Sequence, residues 1–571
     1  MWRADAGRAW FAAVAGLLIG ALALRVWGFE HGLPFVYNAD ENAHFVARAI
    51  GMFDHSYNPN YFINPPGFTY VLHVLFALRW DGEEVQAVLA ADPGAVFGFA
   101  RLAAAVLGTV AVGFLLLAGT RLFDALTGWL AAALLAVAFL PVHYSHLALN
   151  DVPTLAPLCA ALLGAAGILR RGRSADYLLA GLGLGLACAM KYTAGIVLLC
   201  IVAAALVSLE RRGRSRGLAL AAVAALAGFL VANPFALLDF DAFRDGLSEQ
   251  SSASNDGGGK LGLTEQSGWG YYVGTLTWGL GWVPLLAAAA GTALLVVRDR
   301  RTAWVLLPAL VAFLLFMGAQ DRYFARWLLP VYPLVCLLAA HGAAVAARAV
   351  AARLPRRTAW IPVGAAVVAL GGQSLVHAIH NDVVLSRDDT RQLARNWMVE
   401  NVPAGAKVVV EPVSPDQWAM DPGAPRPAGN GNRWNKWPTS RSLVRNDGSV
   451  IRSGRGRLVK LEDYERTTRP ELVGAYERGG YCWVLTGSTQ FGRALAEPEE
   501  VPRAIAYYRE LERRGDVVLR VSPYDDGAER VNFSFDFSFN SYPLAFHRPG
   551  PEIVLYRLRN GACADAASLS S

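Results

Sequence analysis

Tyr37-Asn38-Ala39-Asp40-Glu41-Asn42-Ala43-His44-Phe45 sets two adjacent carboxylates and a histidine one loop beyond the apolar run Ala12–Phe29. A run of that length suits a helix crossing hydrocarbon. Acidic side chains beside a bilayer are costly unless they serve a function or find partners. The plain alternative is a solvated loop in which Asp40 caps a helix beginning near Glu41. Which reading applies depends on the side of the membrane this stretch occupies.

The chain of 571 residues is 54% hydrophobic and 17% charged, which excludes both an ordinary soluble globule and a disordered chain. The net charge of +6 comes with arginine clusters in short loops between apolar runs. That placement fits positive-inside topology and gives no reason to expect nucleic acid. Of six cysteines, Cys159, Cys188, Cys200 and Cys336 lie in apolar runs and read as small hydrophobes. Cys482 and Cys563 are the remaining candidates for a disulfide. Arg3 and Arg8 precede the first apolar run with no convincing cleavage site before Arg25, so that span is read as retained.

Apolar runs of spanning length recur: Ala9–Phe29, Ala95–Thr120, Ala125–Leu147, Val152–Leu169, Tyr177–Met190, Thr193–Leu209, Leu218–Leu238, Tyr271–Val297, Ala303–Met317, Trp327–Val350 and Ala359–Val376. They give about eleven crossings against the twenty-residue expectation. Pro65–Trp80 is apolar but short, and reads as a juxtamembrane or re-entrant helix. Arg121, Arg170-Arg171-Arg173, Arg211-Arg212-Arg214-Arg216, Arg298-Arg300-Arg301 and Arg353-Arg356-Arg357 fall in alternate loops, predicted to be cytoplasmic with Arg3 and Arg8. The opposite loops then face outward. They hold Asp40-Glu41, His143 and His146, Asn150-Asp151, Lys191-Tyr192, Asn233-Pro234, Asp239 and Asp241, and Asp321-Arg322-Tyr323. Titratable and aromatic groups concentrated on one face point to a site at the membrane-water boundary.

The predicted division is a membrane domain over 1–384, whose first outer loop is 30–64, and an extracytoplasmic α/β domain over 385–571. The tail reads as helix Asp388–Val399, strand Lys407–Glu411, strand Tyr481–Thr486, helix Pro502–Arg513, strand Val517–Val521 and strand Glu552–Arg557. Pro422–Asp447 reads as a long loop. Val531–Phe539, with Phe at every second position from Phe533, reads as a strand with one apolar face.

Several short motifs, in order and on one side, resemble the polytopic GT-C glycosyltransferases. The nearest branch is the protein O-mannosyltransferase and lipid A aminoarabinose transferase group (glycosyltransferase family 39-like). The motifs are Asp40-Glu41, the Pro65-Pro66 turn into an apolar helix, Asn150-Asp151-Val152-Pro153, Lys191-Tyr192-Thr193, and Arg326-Trp327-Leu328-Leu329-Pro330, similar to the family's Arg-Tyr-x-Leu-Pro. Asn64 stands where some relatives carry Lys, and Trp327 where Tyr is usual. The resemblance covers most of residues 8–378. It implies a polyprenyl-phosphate sugar as donor, inversion at the anomeric carbon, and Asp40 as catalytic base, with a lipid, glycan or protein acceptor outside an inner or plasma membrane.

The remaining residues carry alternatives. Glu41 would hold a cation, fix the acceptor or pair with an arginine. Asp151 would bind acceptor or sugar, or cap the span that Pro153 opens. His143 and His146, three apart, would join Glu41 or His44 at a metal, or be hydrogen-bonded interfacial histidines. Lys191 would meet the donor phosphate or snorkel from a helix end. Arg322 and Arg326, four apart, share a face if helical and match phosphate oxygens; with Tyr323 and Trp327 they also suit an interfacial belt. No cofactor is required, though a divalent cation would find carboxylates here. There is no GxGxxG strand-helix unit, P-loop or paired Cys knuckle, so a soluble nucleotide-sugar donor is disfavoured. The rival function is a lipid or sugar transporter or flippase, which predicts mid-depth polar residues and internal repeats.

Overall fold

The computed structural model describes all residues except 1, 55, 211–212, 255–260, 263–266, 356, 422–431, 438–442, 445–456, 459–460, 534–542 and 566–571. Most of the expected loop Pro422–Asp447, and the expected strand Val531–Phe539 beyond residue 533, lie outside the described residues; so do Arg211, Arg212 and Arg356. Residues 531–533 have no regular structure.

The first part is a helical bundle. Among the described residues six helices are long and apolar enough to cross a membrane, seven if one bent pair counts as a span. Four shorter apolar helices of 10–17 residues accompany them, so the expected eleven crossings rest partly on short helices. Two expected spans are broken, each for a local reason. Ala125–Leu147 forms helices Ala125–Val137 and Phe139–Tyr144, separated by Ala138 at φ −55°, ψ 122°. Pro141 follows three residues later, and a proline ring clashes with the carbonyl four residues before it. The freed carbonyls of Leu135 and Ala136 accept from the buried guanidinium of Arg25 at 3.1 and 2.9 Å. Tyr271–Val297 forms helices Gly268–Gly279 and Trp282–Arg298, bent by 112°. Gly281 makes the corner at φ +113°, where a side chain would be strained.

Charge and packing define the bundle's two ends. Helix Pro93–Leu122 carries Arg101 near one end and Arg121 about 30 Å further on, at 1.5 Å per residue. At the Arg121 end, Arg121 and Arg171 meet Asp176 at 3.4 and 2.6 Å, Arg170 meets Asp299 at 3.9 Å, and Arg348 meets Asp124 at 2.5 Å. The expected basic loops therefore gather at one end and Asp40 at the other. Helix Gly67–Trp80 lies across the Asp40 end. Its Gly67 abuts the Ala189 carbonyl at the end of helix Ser174–Met190, and its Trp80 meets Phe99 at 5.2 Å. Both neighbours are at that end, so this helix does not traverse the bundle.

The second part is an α/β layer. Strands β1 (Lys407–Val410), β2 (Asn435–Lys436), β3 (Trp483–Gly487), β4 (Gly515–Val521) and β5 (Ile553–Leu558) form one sheet in the order β2-β1-β3-β5-β4. β1 is parallel to β2 and β3, whereas β5 is antiparallel to β3 and β4. Alternation along the strands fills both faces. Val408, Val410, Leu485 and Leu555 pack with Met398 of helix Thr390–Asn401. Val409, Val484 and Val554 pack with Tyr476 of helix Glu471–Gly479 and with Tyr507 and Leu511 of helix Pro502–Arg514. Cys482 and Cys563 form a disulfide across a sequence separation of 81.

Closing a loop of that length removes conformational freedom from the unfolded chain. The double variant Cys482→Ala/Cys563→Ala should lose about 4 kcal/mol of the α/β layer's stability. Denaturant unfolding of the purified variant measures this, and thiol trapping of the parent should label neither cysteine.

Candidate active site

Asn38 begins the site. Its Oδ1 accepts from the backbone N–H groups of Asp40 and Glu41, each at 3.1 Å. Asn38 thus opens the π-helical turn Glu41–Phe45, and the side chain of Asp40 makes no cap. The two neighbouring carboxylates then diverge. Glu41 turns inward: Arg101 Nε and Nη2 donate to its two oxygens at 2.7 and 2.9 Å, and the Ala148 N–H donates at 2.8 Å. Both side chains are sealed, at 0% exposure for Glu41 and 1% for Arg101. Arg101 Nη1 also donates to the carbonyls of Phe29 and His31 at 2.8 and 2.9 Å. Of the roles expected for Glu41, a catalytic candidate together with Asp40, the structure shows the pairing with an arginine, so Glu41 is an anchor whose oxygens do not face the cavity.

Asp40 turns outward, with 41% of its side chain exposed. Its Oδ2 accepts from Arg326 Nη2 at 2.5 Å. Arg326 Nε lies 4.0 Å from Asp151 Oδ2, and Lys191 donates to Asp151 Oδ1. The result is a chain of alternating charge, Asp40–Arg326–Asp151–Lys191, drawn from four sequence-distant segments. All four line one cavity of about 410 Å³ with Tyr192, whose hydroxyl donates to the Phe62 carbonyl at 3.0 Å. Phe45, Ile63, Leu149, Leu247, Phe316 and Trp327 give the cavity an apolar wall.

Local breaks place these groups. Lys191 ends helix Ser174–Met190 in extended geometry before the 3-10 turn Tyr192–Ile196, so its ammonium reaches into the cavity. Asp151 is not the expected helix cap, because helix Leu155–Arg170 starts after Thr154. Arg322 and Arg326 do not share a helix, since regular structure begins only at the 3-10 turn Ala325–Val331. Their guanidinium carbons nevertheless both approach the Phe324 ring, at 5.3 and 5.2 Å.

Other expected residues sit elsewhere. His44 flanks Asp40, with Nε2 3.9 Å from its Oδ1, and stacks on Tyr61 at 4.7 Å. Burial pulls the His44 pKa down from its ordinary value against the opposing pull of Asp40. His143 bonds Asn381 at 2.9 Å, and His146 bonds the carbonyls of Val142 and Trp27, each at 2.9 Å. They are hydrogen-bonded bundle histidines and do not meet Glu41 or His44. Tyr323 packs on Tyr271 at 4.7 Å, outside the cavity. Asn64, Gln250, Ser251 and Gln320 line the cavity without having been singled out as site residues. Gln250 and Ser251 belong to helix Phe240–Ser254, which seals one side through Phe243 on Phe62 at 6.0 Å. The spacing Phe240, Phe243, Leu247 was its available signal.

Removing Arg101 would leave Glu41 buried and unpaired. Arg101→Leu should cost about 3–5 kcal/mol, read as a lowered melting temperature in detergent. Asp40→Asn, at an exposed position, should melt within a few degrees of the parent.

Residues 93–234 match the family model of dolichyl-phosphate-mannose-protein mannosyltransferases. ArnT from Cupriavidus metallidurans in the apo state superposes with a TM-score of 0.50 at 14% identity, covering 96% of this chain and 98% of that one. The apo oligosaccharyltransferase of Archaeoglobus fulgidus gives 0.51 at 15% identity, covering 92% of this chain and 75% of that one. No curated protein matches the sequence. The fold of the chain is thus similar to that of ArnT and of the archaeal oligosaccharyltransferase.

Proposed function

We propose that the chain is an inverting glycosyltransferase that moves a hexosyl or pentosyl group from a polyprenyl-phosphate donor to an acceptor hydroxyl on a lipid, glycan or protein. The carrying observation is the cavity in which Asp40 stands with Arg326, Asp151 and Lys191. In the proposed step the acceptor oxygen attacks the anomeric carbon while Asp40 takes its proton. The new carbon–oxygen bond forms on the face opposite the breaking bond to phosphate, and that electron pair leaves with the lipid phosphate. Lys191 and Arg326 supply positive charge to the departing phosphate. The step calls on no cofactor.

Three observations support the substrate and its side. The apolar wall beside the two cations suits an isoprenoid attached to a phosphate. The matched family is named for a dolichyl-phosphate sugar. The disulfide Cys482–Cys563 favours an oxidising compartment for residues 385–571, and the basic loops gather at the end away from the cavity. Residues 1–384 then carry the reaction in the inner or plasma membrane, and residues 385–571 form an extracytoplasmic domain.

Membranes holding the parent or an equally abundant Asp40→Asn variant, fed a pool of polyprenyl-phosphate sugars, test this by mass spectrometry. The parent should consume one donor, and the variant should turn over about a hundredfold to ten-thousandfold more slowly. If no donor is consumed while lipid or sugar crosses the bilayer, the protein is a transporter. Lys191→Met should weaken donor binding by roughly tenfold or more, as loss of one charged hydrogen bond predicts, measured by titration with the identified donor.

A further inference from the structure

The loop that delivers Asp40 is held from outside the bundle. Phe35 and Tyr37 pack against the outer domain's core, beside Met398, Trp418 and Leu555. Arg391, in helix Thr390–Asn401, lays its guanidinium over the Tyr37 ring at 3.7 Å. Arg391 is itself fixed, because Asp389 accepts from its Nε and Nη2 at 2.8 and 2.7 Å and the Val413 carbonyl accepts from Nη1 at 3.3 Å. One turn on, Arg395 approaches the Phe35 ring at 5.1 Å while donating to the carbonyls of Trp418 and Met420 at 2.7 and 2.5 Å. Tyr37 directly precedes Asn38, the residue that caps Asp40 and Glu41. A second contact joins the two parts of the chain. Leu261, beyond helix Phe240–Ser254, is buried with Ala494, Val501 and Ala504, and the Gly262 N–H donates to Glu497 at 2.9 Å.

We infer that Arg391 is a positioning residue for the transfer: through Tyr37 and Asn38 it fixes where Asp40 stands in the cavity. A cation over a phenol ring is directional, and an ordered guanidinium makes that contact at little entropic cost. Glu41 pins the start of the turn from the membrane side, and Arg391 pins its approach from the outer side. Asp40 lies between these fixed points, with Arg326 at 2.5 Å and His44 at 3.9 Å from its carboxylate. Small displacements of a reacting group cost rate more than binding, so the signature belongs in kcat.

This inference rests on the transferase reading, and the test separates the two. Arg391→Ala in the full chain should lower kcat about tenfold with donor KM within twofold, and Arg391→Lys should recover at least half of the parent rate. In an Asp40→Asn background Arg391→Ala should bring no further loss, since it acts through Asp40. Hydrogen exchange over residues 38–45 should be at least several-fold faster in Arg391→Ala, whatever the activity. Unchanged kcat and unchanged exchange overturn the inference. So does a tenfold loss that multiplies in the Asp40→Asn background, which would place Arg391 in a separate role. A parent with no transfer, together with faster exchange in Arg391→Ala, overturns the transferase reading and leaves the positioning role standing.

Discussion

One buried ion pair, Glu41 with Arg101, fixes the relation between the loop that follows the first apolar helix and the bundle. Two charges removed from water require good geometry and satisfied neighbours. Here the guanidinium donates four hydrogen bonds, two to the Glu41 oxygens and one each to the Phe29 and His31 carbonyls, while Ala148 adds a donor to Glu41. The contact ties three segments far apart in sequence: the end of the first span, the helix from Pro93, and the turn beyond His146. Because Glu41 is committed inward, its neighbour on the tight π turn must face the cavity. The charge that looks catalytic by adjacency thus serves its neighbour by direction.

The cavity has no net formal charge among its four principal groups, since two carboxylates face two cations. Each cation is held by an anion of the protein before any phosphate arrives. In the proposed reaction an incoming phosphate would meet ordered cations, at the cost of sharing them with Asp40 and Asp151. Preorganised charge of this kind needs little rearrangement when a leaving group develops charge. Under the proposed transfer, the paired cations and the apolar wall would meet the two halves of one amphipathic donor.

Much of this was legible in the sequence because membrane constraints are strong. Hydrophobic length marked most helices, and arginine bias sorted the loops onto ends that the salt bridges of Arg121, Arg171 and Arg348 bear out. Asp40, Asp151, Lys191, Tyr192 and Arg326 were singled out and do meet in one cavity. What escaped was direction. Adjacency in Asp40-Glu41 gave no hint that one side chain faces inward, and nothing local paired Glu41 with Arg101, sixty positions away. Breaks inside apolar runs were hidden because Ala138 and Gly281 leave hydropathy unchanged while turning the chain. For His143 and His146 the spacing left a metal and plain hydrogen bonding both open; the structure shows hydrogen bonding, with partners, Asn381 and the Trp27 carbonyl, that come from elsewhere in the chain. Helix Phe240–Ser254 was masked by its polar face.

The sheet order has a consequence for biosynthesis. β5, the last strand in sequence, lies between β3 and β4. The sheet therefore cannot close until residues 553–558 have left the ribosome, after every apolar helix of the bundle has been made. β5 also supplies Leu555 to the cluster that receives Phe35 and Tyr37. The loop carrying Asp40 is among the first segments synthesised, yet its outer seat is completed only at the end. A chain interrupted before β5 would keep the Glu41–Arg101 anchor but lack Leu555 and Ile553 in the cluster on which Phe35 and Tyr37 pack.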